Sequence, residues 1–222
     1  MRRIASHAYA VALVACIALA LSAAFAQSPS THQHRFSGAE RWAQVFDDPK
    51  RDVWQKPDEV MRALELPPDA LAADIGAGTG YFAVRLADAL PAGRVYAVDV
   101  EPDMVEYLGA RAKREKKDNL FAVAGAPDDP RLPERVDLIL LVNVFHHVDD
   151  RVRYFRGLET YLRPGGRIAI IDFRPESPTG PPRATRIAVE QVKAELENAG
   201  YALAHRHDFL PNQYFLVFEA KR

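Results

Sequence analysis

Cysteine is all but missing from this chain: the 222 residues contain one, Cys16. A lone thiol excludes an internal disulfide framework and a thiolate metal cage. Excess charge of either sign is also lacking, because 29 basic residues face 30 acidic ones for a formal net charge of -1. No run of five basic residues occurs, and the densest positive stretch, Arg111 to Lys117, is interrupted by Glu115 and reads as the solvated end of a helix. A broad nucleic-acid footprint is therefore not expected. There is no long acidic tail and no internal repeat. What is present is a 48% apolar composition over a length that fills one well-packed domain.

The first 26 residues form a class of their own. Arg2 and Arg3 precede an alanine-rich apolar run from Ala8 to Leu21, and Ala24-Phe25-Ala26 supplies an A-x-A cleavage pattern. That order of basic, apolar and small-residue segments predicts a secretory signal peptide. A membrane anchor is the competing reading, disfavoured by the small-residue ending. A lipoprotein-type box at Leu13-Val14-Ala15-Cys16 is disfavoured by the apolar residues that follow it. Cleavage after Ala26 removes Arg2, Arg3 and Cys16, leaving 27 basic residues against 30 acidic ones, a net charge of -3 and no cysteine. A thiol-free mature chain suits an oxidising compartment, so the expected location is periplasmic or secreted, with no stable membrane insertion. Residues 27–37, with His32-Gln33-His34, read as a polar linker, and residues 38–222 as a single domain.

Hydrophobic periodicity orders that domain. Helices are expected over Gly38 to Phe46 and from Pro57 to Leu64, then a strand from Ala70 to Ile75, a helix from Gly80 to Leu90 and a strand from Arg94 to Val98. A helix from Pro102 to about Arg114 and strands Leu120 to Ala124 and Val136 to Val142 follow, the last two joined without a long helix. A helix from about Asp150 to Leu162, a turn at Arg163-Pro164-Gly165-Gly166 and a strand Arg167 to Phe173 lead to a proline-rich loop from Pro175 to Pro182. The helix Ile187 to Ala199 ends at Gly200, and strands Tyr201 to Asp208 and Gln213 to Glu219 are close enough across Pro211-Asn212 to pair antiparallel. Alternating strands and helices with a final hairpin predict an α/β domain built on a doubly wound, Rossmann-like sheet with one reversed strand.

The stretch Leu71-Ala72-Ala73-Asp74-Ile75-Gly76-Ala77-Gly78-Thr79-Gly80-Tyr81 places a carboxylate and three glycines at the tip of an apolar strand. The glycines permit a tight turn and let a ligand lie on the backbone, with the amides of the following helix pointing outward. Gly78, Gly80 and Ala83 satisfy the dinucleotide pattern G-x-G-x-x-G/A, and Asp99 stands at a distance suited to a ribose hydroxyl. Asp74 separates the two readings: its carboxylate would crowd a pyrophosphate but favours a ligand carrying an ammonium or sulfonium charge.

On these residues the chain resembles the class I S-adenosylmethionine-dependent methyltransferases, whose first motif reads acid, apolar, G-x-G-x-G, as Asp74 to Gly80 do here. The likeness extends to Asp99, to Asn143 to His147 and to Leu162 to Gly166, in the family's order. It implies a seven-stranded sheet in the order 3-2-1-4-5-7-6 with the last strand antiparallel. It further implies S-adenosylmethionine as cofactor, held by Asp74, Gly76, Gly78, Gly80, Asp99, Val100 and Asn143, and a small-molecule methyl acceptor. After the third strand the chain departs from the family's glycine-acid pattern: Gly125 is followed by Ala126 and Pro127, so Asp128 or Asp129 would have to reach the adenine, Asp128 being the candidate. Asn143-Val144-Phe145-His146-His147 resembles the family's fourth motif, which implies that it faces the reactive methyl. His146 is the expected general base, His147 the weaker candidate, on the expectation that neighbours on a helical turn cannot both face the cavity. Asp172 and Phe173 end a strand near the acceptor, and Trp54 could fold over the cofactor or serve as a core ring. The pairs His32/His34 and His205/His207 lack a third ligand at metal spacing, so no metal is expected. Two other functions fit parts of this pattern: a non-catalytic exported nucleoside-binding protein, and an NAD-dependent oxidoreductase, which leaves Asp74 without a role.

Overall fold

The computed structural model describes residues 38–221; the expected leader, the linker and the His32/His34 pair lie outside the described residues. Strands β1 (Leu71–Ile75), β2 (Arg94–Asp99), β3 (Leu120–Ala124), β4 (Val136–Val142), β5 (Leu162–Phe173), β6 (Tyr201–His207) and β7 (Gln213–Ala220) form one sheet in the order β3-β2-β1-β4-β5-β7-β6. β1 to β5 run parallel, and β7 lies antiparallel between β5 and β6. The expected topology is the observed one.

The central strands are buried on both faces, so side chains of opposite parity enter two separate cores. Leu71, Ala73 and Ile75 of β1 and Ile139 and Leu141 of β4 pack beneath helices α6 (Arg151–Leu158) and α7 (Val189–Ala199). Ala70 and Ala72, with Leu138, Leu140 and Val142, face α3 (Pro57–Ala63), α4 (Ala83–Ala89) and α5 (Pro102–Arg114). Small alanines on the second face of β1 let α4 approach closely, and Leu86 of that helix is wholly buried there. Phe155 on α6 is likewise inaccessible, its ring 5.3 Å from that of Phe145. Side chains of this size each contribute about 1.5–3 kcal/mol on burial, which makes the two cores the main support of the sheet.

Three boundaries differ from the expectation by three residues or more, each for a local reason. The helix expected from Gly80 begins at Ala83, because the preceding residues are held in the loop, where Gly80 donates to the carbonyl of Ala77. β5 begins at Leu162 rather than Arg167, absorbing the Gly165-Gly166 turn into the strand through a register shift opposite Val136 and Leu138. The helix expected to reach Leu162 stops at Leu158 and finishes in a single 3-10 turn, Glu159–Tyr161, where the Thr160 hydroxyl donates to the carbonyl of Gly157. Two helices precede β1 as expected, α1 (Ala39–Phe46) and α3, but a short α2 (Arg51–Gln55) stands between them. Lys56, at φ 45°, turns the chain from α2 into α3, which opens on Pro57. Among the described residues no helix is long and apolar enough to cross a membrane.

Candidate active site

The carboxyl ends of β1, β2, β4 and β5 open into one cavity of about 680 Å³, roofed by α1 and α2. Ligand sites in doubly wound sheets lie at this edge, and the volume is that of a small-molecule site. Its floor is the loop after β1. The amides of Gly76 and Ala77 both donate to the carbonyl of Val98, at 2.8 and 2.9 Å, and the amide of Gly78 donates to Oδ2 of Asp99 at 2.8 Å. The loop is thereby fastened to the end of β2. Gly76 and Gly78 border the cavity; Gly76 adopts φ 69°, and a Cβ there would collide with the Val144 side chain, so the loop after β4 rests directly on it. Gly80 does not border the cavity: a Cβ on it would stand 2.9 Å from Leu108, so this glycine serves packing against α5.

Two buried carboxylates face the same space. Burial pushes Asp74 up to about 7, against the pull of the Arg51 guanidinium and the Ala83 amide, with a further push from Asp99. Asp99 is raised as well by burial, opposed by the amides of Glu101, Gly78 and Val100. Its Oδ1 accepts from the Glu101 amide at 3.0 Å, and the remaining lone pairs of the carboxylate are available to a diol. Val100 and Glu101 border the cavity beside it.

Arg51 supplies the cavity's cation, and sequence reasoning missed it. It lies in a run of mixed charge, Asp47 to Asp52, that reads as solvated surface, yet α2 turns it inward. Its guanidinium stands 4.0 Å from the centroid of the Tyr81 ring, donates to the Phe46 carbonyl at 2.6 Å and to Oε1 of Gln55, and burial lowers its pKa to about 10. Gln55, wholly buried, donates in turn to Oε1 of Gln213 at 3.1 Å, and Gln213 donates to Oδ1 of Asn143 at 2.5 Å. A chain of side-chain amides thus ties the roof to β7 and to the end of β4. Asn143 borders the cavity in a left-handed conformation, φ 60°, with its carboxamide oxygen engaged by Gln213.

Asp128 stands apart. Ala126 and Asp129 bond to each other through both backbone groups, making a tight turn whose tip is Pro127-Asp128; Ala126 and Pro127 border the cavity while Asp128 is exposed and does not. Asp129 is taken up by the Tyr161 hydroxyl and the Arg131 amide. This stretch therefore offers the cavity an apolar wall in place of a carboxylate.

At the opposite side, the 3-10 turn Phe145–His147 places His146 against Asp172 at the end of β5. Nδ1 of His146 lies 2.8 and 3.0 Å from the two carboxylate oxygens, and the amides of His146 and Phe173 also donate to Asp172. A carboxylate surrounded by donors holds the imidazole with its proton on Nδ1, leaving Nε2 as the basic nitrogen. The expectation that only one histidine could face the cavity is corrected: both border it, because their rings pack at 4.1 Å and His147 leans over its buried neighbour. Trp54 and Phe173 complete this side as an aromatic pair with centroids 5.6 Å apart. His205 and His207 lie far along the sheet on β6, where the His207 ring packs on Phe215 at 4.6 Å. Among the described residues no three potential ligands gather for a metal.

Residues 73–168 match the family model described as a methyltransferase domain. The observed sheet order agrees with that likeness. The chain is 34% identical over 95 residues to a malonyl-acyl-carrier-protein O-methyltransferase of Hahella chejuensis, covering 43% of this chain and 33% of that one. It is 35% identical over 108 residues to its counterpart from Methylococcus capsulatus, covering 48% and 38%. The chain spans little more than a third of these curated relatives. Among solved structures, a SAM-dependent methyltransferase from Aquifex aeolicus superposes with a TM-score of 0.75 at 23% identity, covering 81% of this chain and 97% of that one. S-adenosylmethionine fits the groups gathered in the domain's cavity: two buried carboxylates for cationic and diol groups, one guanidinium for a carboxylate, an apolar wall at Ala126 and Pro127, and in the loop a buried Thr79 hydroxyl without a protein partner.

The raised carboxyl of Asp74 can be tested on the protein alone. Between the ordinary value of 3.8 and about 7 the folded chain holds a proton there that the unfolded chain releases, so stability falls as pH rises through this window. Asp74→Asn should flatten the fall in melting temperature between about pH 4 and 7; a slope unchanged from the parent would place the titration on another group.

Proposed function

We propose that this protein is an S-adenosylmethionine-dependent methyltransferase that acts on a small molecule after export through a cleaved signal peptide. The observation that carries the enzymatic reading is that His146, held from behind by Asp172, borders the same cavity as Asp74, the glycine loop and Asp99. A purely binding protein has no need of an oriented imidazole there.

When bound, the cofactor supplies an electrophilic methyl group on a sulfonium. Arg51 holds its carboxylate end, Asp74 balances the positive charges, Asp99 accepts from the ribose hydroxyls, and Ala126 and Pro127 pack against the base. The glycine loop presents its backbone to the ligand, and α1 and α2 exclude water from above. On the far side His146 takes a proton from the acceptor through Nε2, and Asp172 stabilises the resulting imidazolium. Methyl transfer also draws on simple alignment of the reactants, so loss of the base should slow the reaction rather than abolish it.

Export rests on Arg2, Arg3, the Ala8 to Leu21 run and Ala24-Phe25-Ala26. Fractionation with amino-terminal sequencing should find a chain beginning near Gln27 outside the cytoplasm; an intact soluble cytoplasmic chain would sink this part of the proposal.

Calorimetric titration with S-adenosylmethionine, its demethylated product and NAD tests the cofactor: the first two should bind and NAD should not. Asp99→Ala should weaken cofactor binding at least tenfold, and unchanged affinity would remove Asp99 from the site. His146→Ala should lower kcat by about 10²–10⁴, the usual contribution of a general base, with a smaller change in cofactor affinity. Equal losses in both would make His146 structural.

A further inference from the structure

The cavity divides by charge. Arg51, Asp74, Asp99 and Glu101, the charged side chains among its lining apart from the histidines, all belong to α2, to the end of β1 or to the end of β2. The acceptor side, built from the ends of β4 and β5, the loop after β5 and Trp54 at the far end of α2, gathers Trp54, Phe173 and Pro181 around His146, with Asp172 buried behind it. Arg183, in the loop after β5, is exposed and does not line the cavity, and three further cations near this side are turned to other partners. Arg186 donates to the carbonyls of Pro175, Ser177 and Pro181, Arg174 lies with Asp208 and the Pro211 carbonyl, and Lys56 pairs with Glu59. No lysine or arginine lines this side of the cavity, so an acceptor bearing a carboxylate or phosphate would be desolvated there with no cation against it, which costs several kcal/mol.

The aromatic surface is built as a unit with the base. Phe173 follows Asp172 in the strand and donates its amide to that carboxylate at 2.7 Å. Gly180, at φ 107°, lies so close to the Phe173 ring that a Cβ would approach it to 2.5 Å. The ring is thus clamped between the loop and Trp54, beside a general base whose direction is fixed. A neutral planar ring packs on such a surface through offset or edge contacts.

Acidity selects the reacting group. An ordinary imidazole titrates near 6.5 and a phenol near 10, a gap of about three and a half pH units. An aliphatic hydroxyl resembles water, at about 15.7, a gap of about nine. A phenol is therefore the easier hydroxyl for an imidazole base to deprotonate. Resting on the methyltransferase reading above, the geometry points to an uncharged aromatic hydroxyl, a phenol or hydroquinone, as the acceptor, its ring seated on Trp54 and Phe173 and its oxygen at His146. The acceptor oxygen forms its bond to the methyl carbon as the carbon–sulfur bond breaks, the electron pair returning to sulfur to leave a neutral thioether. The hydroxyl proton passes to Nε2 of His146 and then to solvent.

Three probes of similar size separate the possibilities: 2-naphthol, 2-naphthoate and decalin-2-ol. Quenching of tryptophan fluorescence reports binding to the full mature chain, alone and with demethylated cofactor, and transfer from labelled S-adenosylmethionine reports reaction. 2-Naphthol should bind at least tenfold more tightly than 2-naphthoate and be methylated at least 100-fold faster than decalin-2-ol. Trp54→Ala should weaken naphthol binding at least fivefold, and the conservative Trp54→Phe should restore most of it. Binding of 2-naphthoate as tight as that of 2-naphthol, failure of 2-naphthol to bind, or equal methylation of decalin-2-ol would overturn the inference. Calorimetry with S-adenosylmethionine on the same samples distinguishes the two ways of failing. A chain that binds the cofactor but does not prefer 2-naphthol fails on the acceptor alone, and one that binds no cofactor fails on the underlying reading.

Discussion

One carbonyl, that of Val98, organises the site. By accepting from both Gly76 and Ala77 it draws the loop after β1 sideways onto β2, and the neighbouring Asp99 then receives the Gly78 amide. Once the loop is so placed, Val144 can settle on Gly76, which brings the end of β4 against the donor floor. His146 follows two residues later. The distance between the donor floor and the base is therefore set by contacts between strand ends, two backbone hydrogen bonds at Val98 and the Val144 side chain on Gly76.

The same placement has an electrostatic cost. Raising Asp74 from 3.8 to about 7 corresponds to an unfavourable interaction of the ionised form on the order of 4 kcal/mol. Arg51 offsets part of it, but its own pKa falls on burial, so the two groups do not form a self-contained ion pair. A cationic ligand near Asp74 recovers much of that cost by favouring the ionised carboxylate. A dinucleotide pyrophosphate would add to it. This is the physical content of the acid that precedes the first glycine.

The alternation of strands and helices and the glycine loop were legible in the sequence because each depends on residues close together in the chain, namely apolar runs, turn glycines and the spacing between Asp74 and Gly80, whereas the sheet order came from the family resemblance. Asp99 and His146 were legible for the same reason, each falling just past a strand. What was not legible came from contacts between distant segments. Arg51 looks like surface charge until α2 folds over Tyr81, and nothing near Gln55 or Gln213 announces that two glutamines 158 residues apart will be hydrogen-bonded in the interior. Asp128 failed as a cavity residue because the turn at Pro127 closes on its own backbone, a geometry decided by Ala126 and Asp129 pairing with each other. The third glycine of the loop was read as a ligand contact although its space is filled by Leu108, since the same residue type serves tight packing and ligand approach alike.

The pairing of Gln55 with Gln213 has a consequence for biogenesis. β7 is threaded between β5 and β6 and carries the glutamine that secures the roof. The roof is also tied to the loop and to α4 and α5, Asp52 taking Tyr81 and Arg85 and Asp47 taking Arg111, so the Gln213 hydrogen bond is the last of its fastenings to be synthesised. A chain halted before β7 would keep those ties and lose the amide chain that runs from Gln55 through Gln213 to Asn143.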